Sequence, residues 1–426
     1  MNNIICEATL YYGLFGSRTN TFRIMFRMKD KVNGYMLQLA TAQAFKRHPY
    51  YAVRCVSDGK EYNLESNSEP LVVYQTSEPV ILGGADVNGY LLAVSYWEDI
   101  IWVNVFHGLT DATGLMNFSR TLLYYYCCER YDYNLPSDGV RVNDGTIPQK
   151  EWDNPYVDIM NGKRALPDEE DILVKVKPDS SNPPLNLFDD PRITPSAPRF
   201  HNLRISEKQL MQYCRAQDGT PGVVISLLMS RAIDRLFPDN DLPIVTGMAV
   251  NLRPALEAPD YAGSPLTLAY LPYSGKIRNK SFDEQATMYR GRLILAADKE
   301  RLQAGIKSST RLYRAIDQQP TVEAKCAFVH RVLDSYRNAA TVLLSYVGSA
   351  KLAAMDSYVT ELYIQNDCPG LNIEITNCHG FFFLNISHEW KEDIYFDAFC
   401  EELTAQGIDY EIMGEGNYEV PGISLP

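Results

Sequence analysis

The chain has 426 residues, 46% of them hydrophobic, with 28 Tyr and 16 Phe, enough apolar material for two ordinary domains with separate cores. Its formal net charge is −13 and no run of Lys and Arg is dense enough to track a phosphate backbone, which argues against nucleic acid or an anionic membrane surface as partner. No stretch is long and apolar enough to span a bilayer, and Met1-Asn2-Asn3-Ile4-Ile5-Cys6 lacks the pattern of a secretory leader, so the expected location is the cytoplasm.

The predicted elements alternate between strands and helices. Residues 21–28 place Phe22, Ile24, Phe26 and Met28 on one face and Arg23 and Arg27 on the other, a half-buried strand. Met36, Leu37, Ala40, Ala44 and Phe45 then recur at helical spacing until Pro49, and residues 51–56 read as a strand. Residues 90–96 and 100–106 are strand-like runs joined through Trp97-Glu98-Asp99, a hairpin whose second arm delivers His107. Leu115, Phe118, Leu122 and Tyr126 follow as one apolar helical stripe, so residues 107–111 form a strand-to-helix loop.

Between residues 143 and 200 nine prolines, from Pro148 to Pro198, break any regular pattern, and a long crossover along a surface groove is expected. Ser206-Glu207-Lys208-Gln209 reads as a capping box opening a helix. A second helix starts at Thr220-Pro221 and stops at Pro238, and residues 244–252 form a strand. Residues 282–338 are helix-rich, 341–347 a strand, and 371–376 and 381–387 a hairpin around Asn377-Cys378-His379-Gly380. A last helix, 394–406, ends at Gly407.

Nine scattered cysteines, an odd number, read as reduced thiols, most of them buried. Among His48, His107, His201, His330, His379 and His388 no two stand three or four apart, so no metal centre on one helix is expected, and no glycine-rich phosphate loop occurs. His107 sits at a strand end with Gly108 behind it, a placement that suits a base titrating near neutral pH. Asp111 begins the following helix, where the macrodipole favours a carboxylate. From spacing alone His107 reads more readily as a capping or core histidine than as a catalytic one.

The segment His107-Gly108-Leu109-Thr110-Asp111-Ala112 resembles the H-x-x-x-D-G motif of the chloramphenicol acetyltransferase-like superfamily, which includes peptide-synthetase condensation domains and alcohol acetyltransferases. Other segments resemble it in order: the opening strand and helix, Arg47-His48-Pro49, Val250-Asn251-Leu252-Arg253-Pro254, Ser345-Tyr346-Val347-Gly348, and the terminal hairpin and helix. The resemblance implies an α/β fold of two-layer sandwiches, a monomeric pseudo-dimer with a tunnel between two halves, here residues 1–160 and 201–426 joined by a crossover at 161–200. It further implies His107 as general base, Asp111 as a structural residue paired with Arg253, and acyl-CoA as a co-substrate, with no tightly bound cofactor. The acceptor implied is a small hydroxylated molecule; a carrier-protein thioester is the second donor.

Three positions depart from the family. Phe106 replaces the first histidine of condensation domains, which points away from amide synthesis. Ala112 replaces the motif glycine, where a glycine either holds an unusual backbone angle or leaves space beside the thioester. Tyr346 replaces an asparagine; its hydroxyl is either an oxyanion donor or simply packed in a tyrosine-rich core. Ala112 and Tyr346 leave open a catalytically degenerate member that binds without turnover.

Overall fold

The computed structural model describes residues 7–14, 19–168, 182–334, 339–417 and 419–426. The first six residues, part of the crossover and the end of the helix-rich segment, all addressed above, lie outside them. Two sheets form the frame. The first runs Val359–Asn366, Thr21–Met28, Ile100–Phe106, Leu92–Trp97 and Val73–Gln75. The second runs Leu266–Tyr273, Ile244–Asn251, Val342–Ser349, Leu371–Cys378, Phe381–Trp390, Pro195–Ser206 and Glu411–Asn417.

Each sheet buries its apolar side chains against helices. Leu37, Ala40, Ala44 and Phe45 of helix Gly34–Arg47, with Leu115, Phe118, Leu122 and Tyr126 of helix Ala112–Arg130, share one core with Ile24, Phe26, Val103 and Val105. The Asn33 carboxamide caps the first of these helices by accepting from Met36 N at 3.1 Å. Val224, Leu227, Leu228 and Ala232 of helix Pro221–Leu236 and Phe399 and Leu403 of helix Ile394–Ala405 share a second core with Ile373, Ile375, Leu384 and Ile386. Among the described residues no helix is long and apolar enough to cross a membrane and every cysteine is free.

The two predicted hairpins form. Leu92–Trp97 pairs antiparallel with Ile100–Phe106, and Glu98 in the turn takes φ 51°. His379 and Gly380 take φ 49° and 75°, the signs a tight two-residue turn between twisted strands requires.

Four expectations need correction. The first is the strand at 51–56, which opens as the 3-10 turn Pro49–Tyr51 and becomes strand only at Val53–Ser57. Next, the Ser206 box does not form: Ser206 is still the last residue of a strand paired with Phe381, and its side chain caps nothing. The box that does form is at Ser281, whose N and Oγ both lie 3.0 Å from the Glu284 carboxylate. Third, the proline-rich segment ends earlier than its composition suggests, because a strand already begins at Pro195. Phe381–Trp390 stays paired with it as far as Pro195, through a register shift, and Glu411–Asn417 joins from Arg199 onward. Fourth, Val359–Asn366 was not foreseen as a strand, and it lies in the first sheet, antiparallel to Thr21–Met28.

Candidate active site

Strand Ile100–Phe106 ends at His107, whose backbone N donates to Asn20 O at 2.7 Å. Gly108 permits the sharp exit: a Cβ there would lie 2.5 Å from Phe106 Cε1 and 2.7 Å from Tyr11 Cε2. The His107 ring rests against Phe22, centroids 4.9 Å apart. Its Nδ1 is 3.1 Å from Ser264 Oγ, and no bond to Nε2 is found among the described residues. Burial lowers the pKa of His107 from 6.5, opposed by its own backbone carbonyl and by the charges of Asp111 and Asp367.

The ring opens into a cavity of about 280 Å³ between the two sheets. Phe22, Ile364 and Asn366 line it from the first sheet; Ala249, Asn251, Leu268, Leu343, Ser345 and Glu374 line it from the second. Asp111, Ala112 and Thr113 form its edge where the helix begins.

Asp111 is the N-cap of that helix, its Oδ1 accepting from Gly114 N at 2.9 Å. The same carboxylate receives two bonds from Arg253, Nη1 to Oδ2 at 2.7 Å and Nη2 to Oδ1 at 2.9 Å, with both side chains buried. Arg253 uses its whole fork. Nε donates to Tyr261 O at 2.7 Å, Nη2 also to Gly263 O at 2.7 Å, and Nη1 also to Asn251 Oδ1 at 3.3 Å. The segment it holds in turn holds the histidine loop. Ala262 O accepts from Thr110 Oγ1 at 2.5 Å, and Ser264 meets His107. Glu7 Oε1 fixes that segment from outside, accepting from Ser264 N at 3.1 Å and from Tyr261 Oη at 3.2 Å.

The residues singled out in the sequence thus divide. His107, Asp111 and Arg253 come together. Ala112 is the first helical residue and has no positive φ, so alanine carries no backbone strain there; its methyl faces the cavity rim. Tyr346 borders the cavity, but its ring packs on Phe382, centroids 6.1 Å apart, with the helix-covered core. Period-two alternation makes Ser345, not Tyr346, share the cavity face with its registered partner Glu374. Arg47 and His48 are framework: Arg47 pairs with buried Glu151 at 2.7 and 2.8 Å, and His48, bonded to Tyr50 and Thr121, has its pKa pushed down to about 2, chiefly by burial.

Ser264 and Glu374 were not foreseen. Ser264 is 157 positions from His107 and carries no local motif. Its hydroxyl orients Nδ1 but does not line the cavity, so a thioester carbonyl there would not meet it as a nucleophile. Glu374 is a carboxyl group in the cavity wall; burial pushes it up from 4.5 to about 7, against bonds from Ser345 and Asn366. The folded chain therefore holds that proton more tightly than the unfolded chain. Stability from this group is present in full below the unfolded pKa and is lost as pH rises through about 7. Glu374→Gln should flatten that loss: urea unfolding at about pH 8.5 should show the variant more stable by up to about 3 kcal/mol, with little difference near about pH 5.

No family model and no relative among curated proteins matches the chain. Solved structures do. TRI101 of F. sporotrichioides, crystallised with coenzyme A and T-2, is 14% identical with TM-score 0.61, covering 95% of this chain and 98% of that one. Polyketide synthase associated protein 5 of Mycobacterium tuberculosis is 13% identical with TM-score 0.61, covering 95% and 99%. The condensation domain of the Monacolin K polyketide synthase MokA is 12% identical with TM-score 0.54, covering 95% of both chains. The fold is therefore that of the chloramphenicol acetyltransferase-like acyltransferases and condensation domains, along nearly the whole chain.

Proposed function

We propose that this chain transfers an acyl group from a thioester, acyl-CoA in the first instance, to a hydroxyl of a small acceptor, with His107 Nε2 as general base. One observation carries the reading: a histidine whose Nδ1 is held by Ser264 and whose ring borders a cavity between two sheets, with no partner found on Nε2 among the described residues. Nδ1–H donation to Ser264 Oγ or to the ring's own carbonyl leaves the Nε2 lone pair for the acceptor.

The acceptor O–H gives its proton to Nε2 as its oxygen attacks the thioester carbonyl. Collapse of the tetrahedral intermediate breaks the C–S bond, and the leaving thiolate takes the proton back from the imidazolium. Both substrates meet in one cavity, so no acyl-enzyme is needed. Asp111 and Arg253 hold the loop and take no proton. Tyr346 packs and takes no part in the chemistry. The complex of a structural neighbour with coenzyme A and T-2 supports this choice of donor and acceptor class.

The test is a screen of acetyl-CoA and longer acyl-CoAs against polyhydroxylated acceptors, reading free thiol and ester together. Equal amounts of both, formed only when donor and acceptor are present, and no acylated protein by mass spectrometry, are expected. Transfer only from acylated carrier proteins to amines would replace this reading with condensation, and binding of coenzyme A without turnover would replace it with a binding role.

A further inference from the structure

A second cluster of titratable side chains lies on the helix-covered face of the second sheet. His201 stands opposite Ile386 in strand Phe381–Trp390, and His388 is two positions further along, so both rings point to one face. Asp393 is the N-cap residue of helix Ile394–Ala405, yet its side chain caps nothing and turns to the histidines instead. Its Oδ1 lies 3.1 Å from His201 Nε2 and 3.2 Å from His388 Nε2. We propose that His201, His388 and Asp393 form a site for a divalent first-row metal ion, Zn²⁺ by ligand type, which ties this helix to the sheet.

The three donor atoms lie within 4.8 Å of one another. Bonds of 2.0–2.1 Å in tetrahedral geometry separate donors by about 3.3 Å, so closure around an ion takes small movements. His388 is 1% exposed and among the described residues neither ring nitrogen makes a well-formed hydrogen bond, an unusual state for a buried imidazole and one that a metal would relieve. The rings are already fixed: Phe396 stacks on His201 at 3.9 Å and Trp390 on His388 at 5.1 Å.

Outer groups are in place as well. Arg199 holds Asp393 Oδ2 at 3.1 Å, which leaves Oδ1 for the ion. Glu415, registered against His201, is 3.5 Å from its Nδ1, where a carboxylate orients a ligating imidazole. Asp393 is partly exposed, which gives the ion a route and a water for the fourth position. No two histidines stand three or four positions apart as a site on one helix requires. Sheet register supplies what that spacing lacks.

Chelator-treated full-length protein titrated with Zn²⁺ near pH 7.5 should bind one equivalent, Co²⁺ should give the absorption of a tetrahedral site, and Zn²⁺ should raise the unfolding temperature. Asp393→Asn and His388→Ala should each weaken Zn²⁺ binding by about 100-fold or more and abolish the thermal shift, while His379→Ala, at an exposed histidine, should change neither. Asp393→Asn covers the case in which His388→Ala does not fold. Absence of a stoichiometric site, or binding unchanged in a folded Asp393→Asn chain, would overturn the proposal.

Discussion

His107→Ala should lower kcat/KM for acyl transfer by about 10² to 10⁴ and leave the fold intact, as circular dichroism and urea unfolding would show. The side chain is mostly but not fully enclosed, and the loop is held by bonds that alanine keeps: the backbone donation to Asn20 and the Asp111 clamp. What is lost is the proton acceptor. The pH dependence provides a second check on the same residue. Burial holds the imidazole neutral to a pH below its ordinary 6.5, so the base is present at neutral pH and kcat/KM should fall on the acid side only below that value. Glu374 titrates near 7 in the same cavity and adds an inflection there, which Glu374→Gln should remove while the acid limb stays. Transfer by His107→Ala within about tenfold of the unaltered protein, on the same acceptor, would assign the base elsewhere.

The parts of this site legible in the sequence are those fixed by local rules. Strand alternation, a glycine and a helix-capping aspartate place His107 and Asp111 without reference to the rest of the chain. The strand Val359–Asn366 was missed for the opposite reason. It is buried on both faces and carries Glu361 and Gln365, a composition that reads as loop until their partners are known. Those partners are Arg27, 2.8 Å from Glu361, and Arg23, 2.8 Å from Gln365, on a strand more than 300 positions away. Ser264 and Glu374 fall in the same class, since each acquires its role only when the two sheets face one another. Of the two readings open for Tyr346, alternation along 342–349 favours packing, since it sets the ring with Leu344 on the helix side.

Arg253→Met should both destabilise the protein and slow it, because this side chain joins the histidine loop to the segment that orients the histidine. The substitution leaves Asp111 as a buried carboxylate with no cation and strips donors from the carbonyls of Tyr261 and Gly263. Removing one partner of a buried, bidentate pair costs about 3–5 kcal/mol in unfolding free energy. Lysine keeps the charge but offers three donors from one atom in place of a planar fork of five, so Arg253→Lys should recover only part of that loss. The partner test is the double variant Asp111→Asn with Arg253→Met: removing both charges should cost clearly less than the two single changes added together. Arg253 does not line the cavity, so the kinetic loss should fall on kcat, with KM nearly unchanged. A passive framework residue would lower stability alone. If Arg253 positions His107 through Tyr261–Ser264, the surviving folded enzyme should also show its acid limb displaced, because the Ser264 contact and the nearby Asp111 carboxylate that set the imidazole's proton affinity are no longer held in place. Unaltered kcat and an unmoved limb in folded Arg253→Lys would reduce the clamp to a stabilising pair with no bearing on the chemistry.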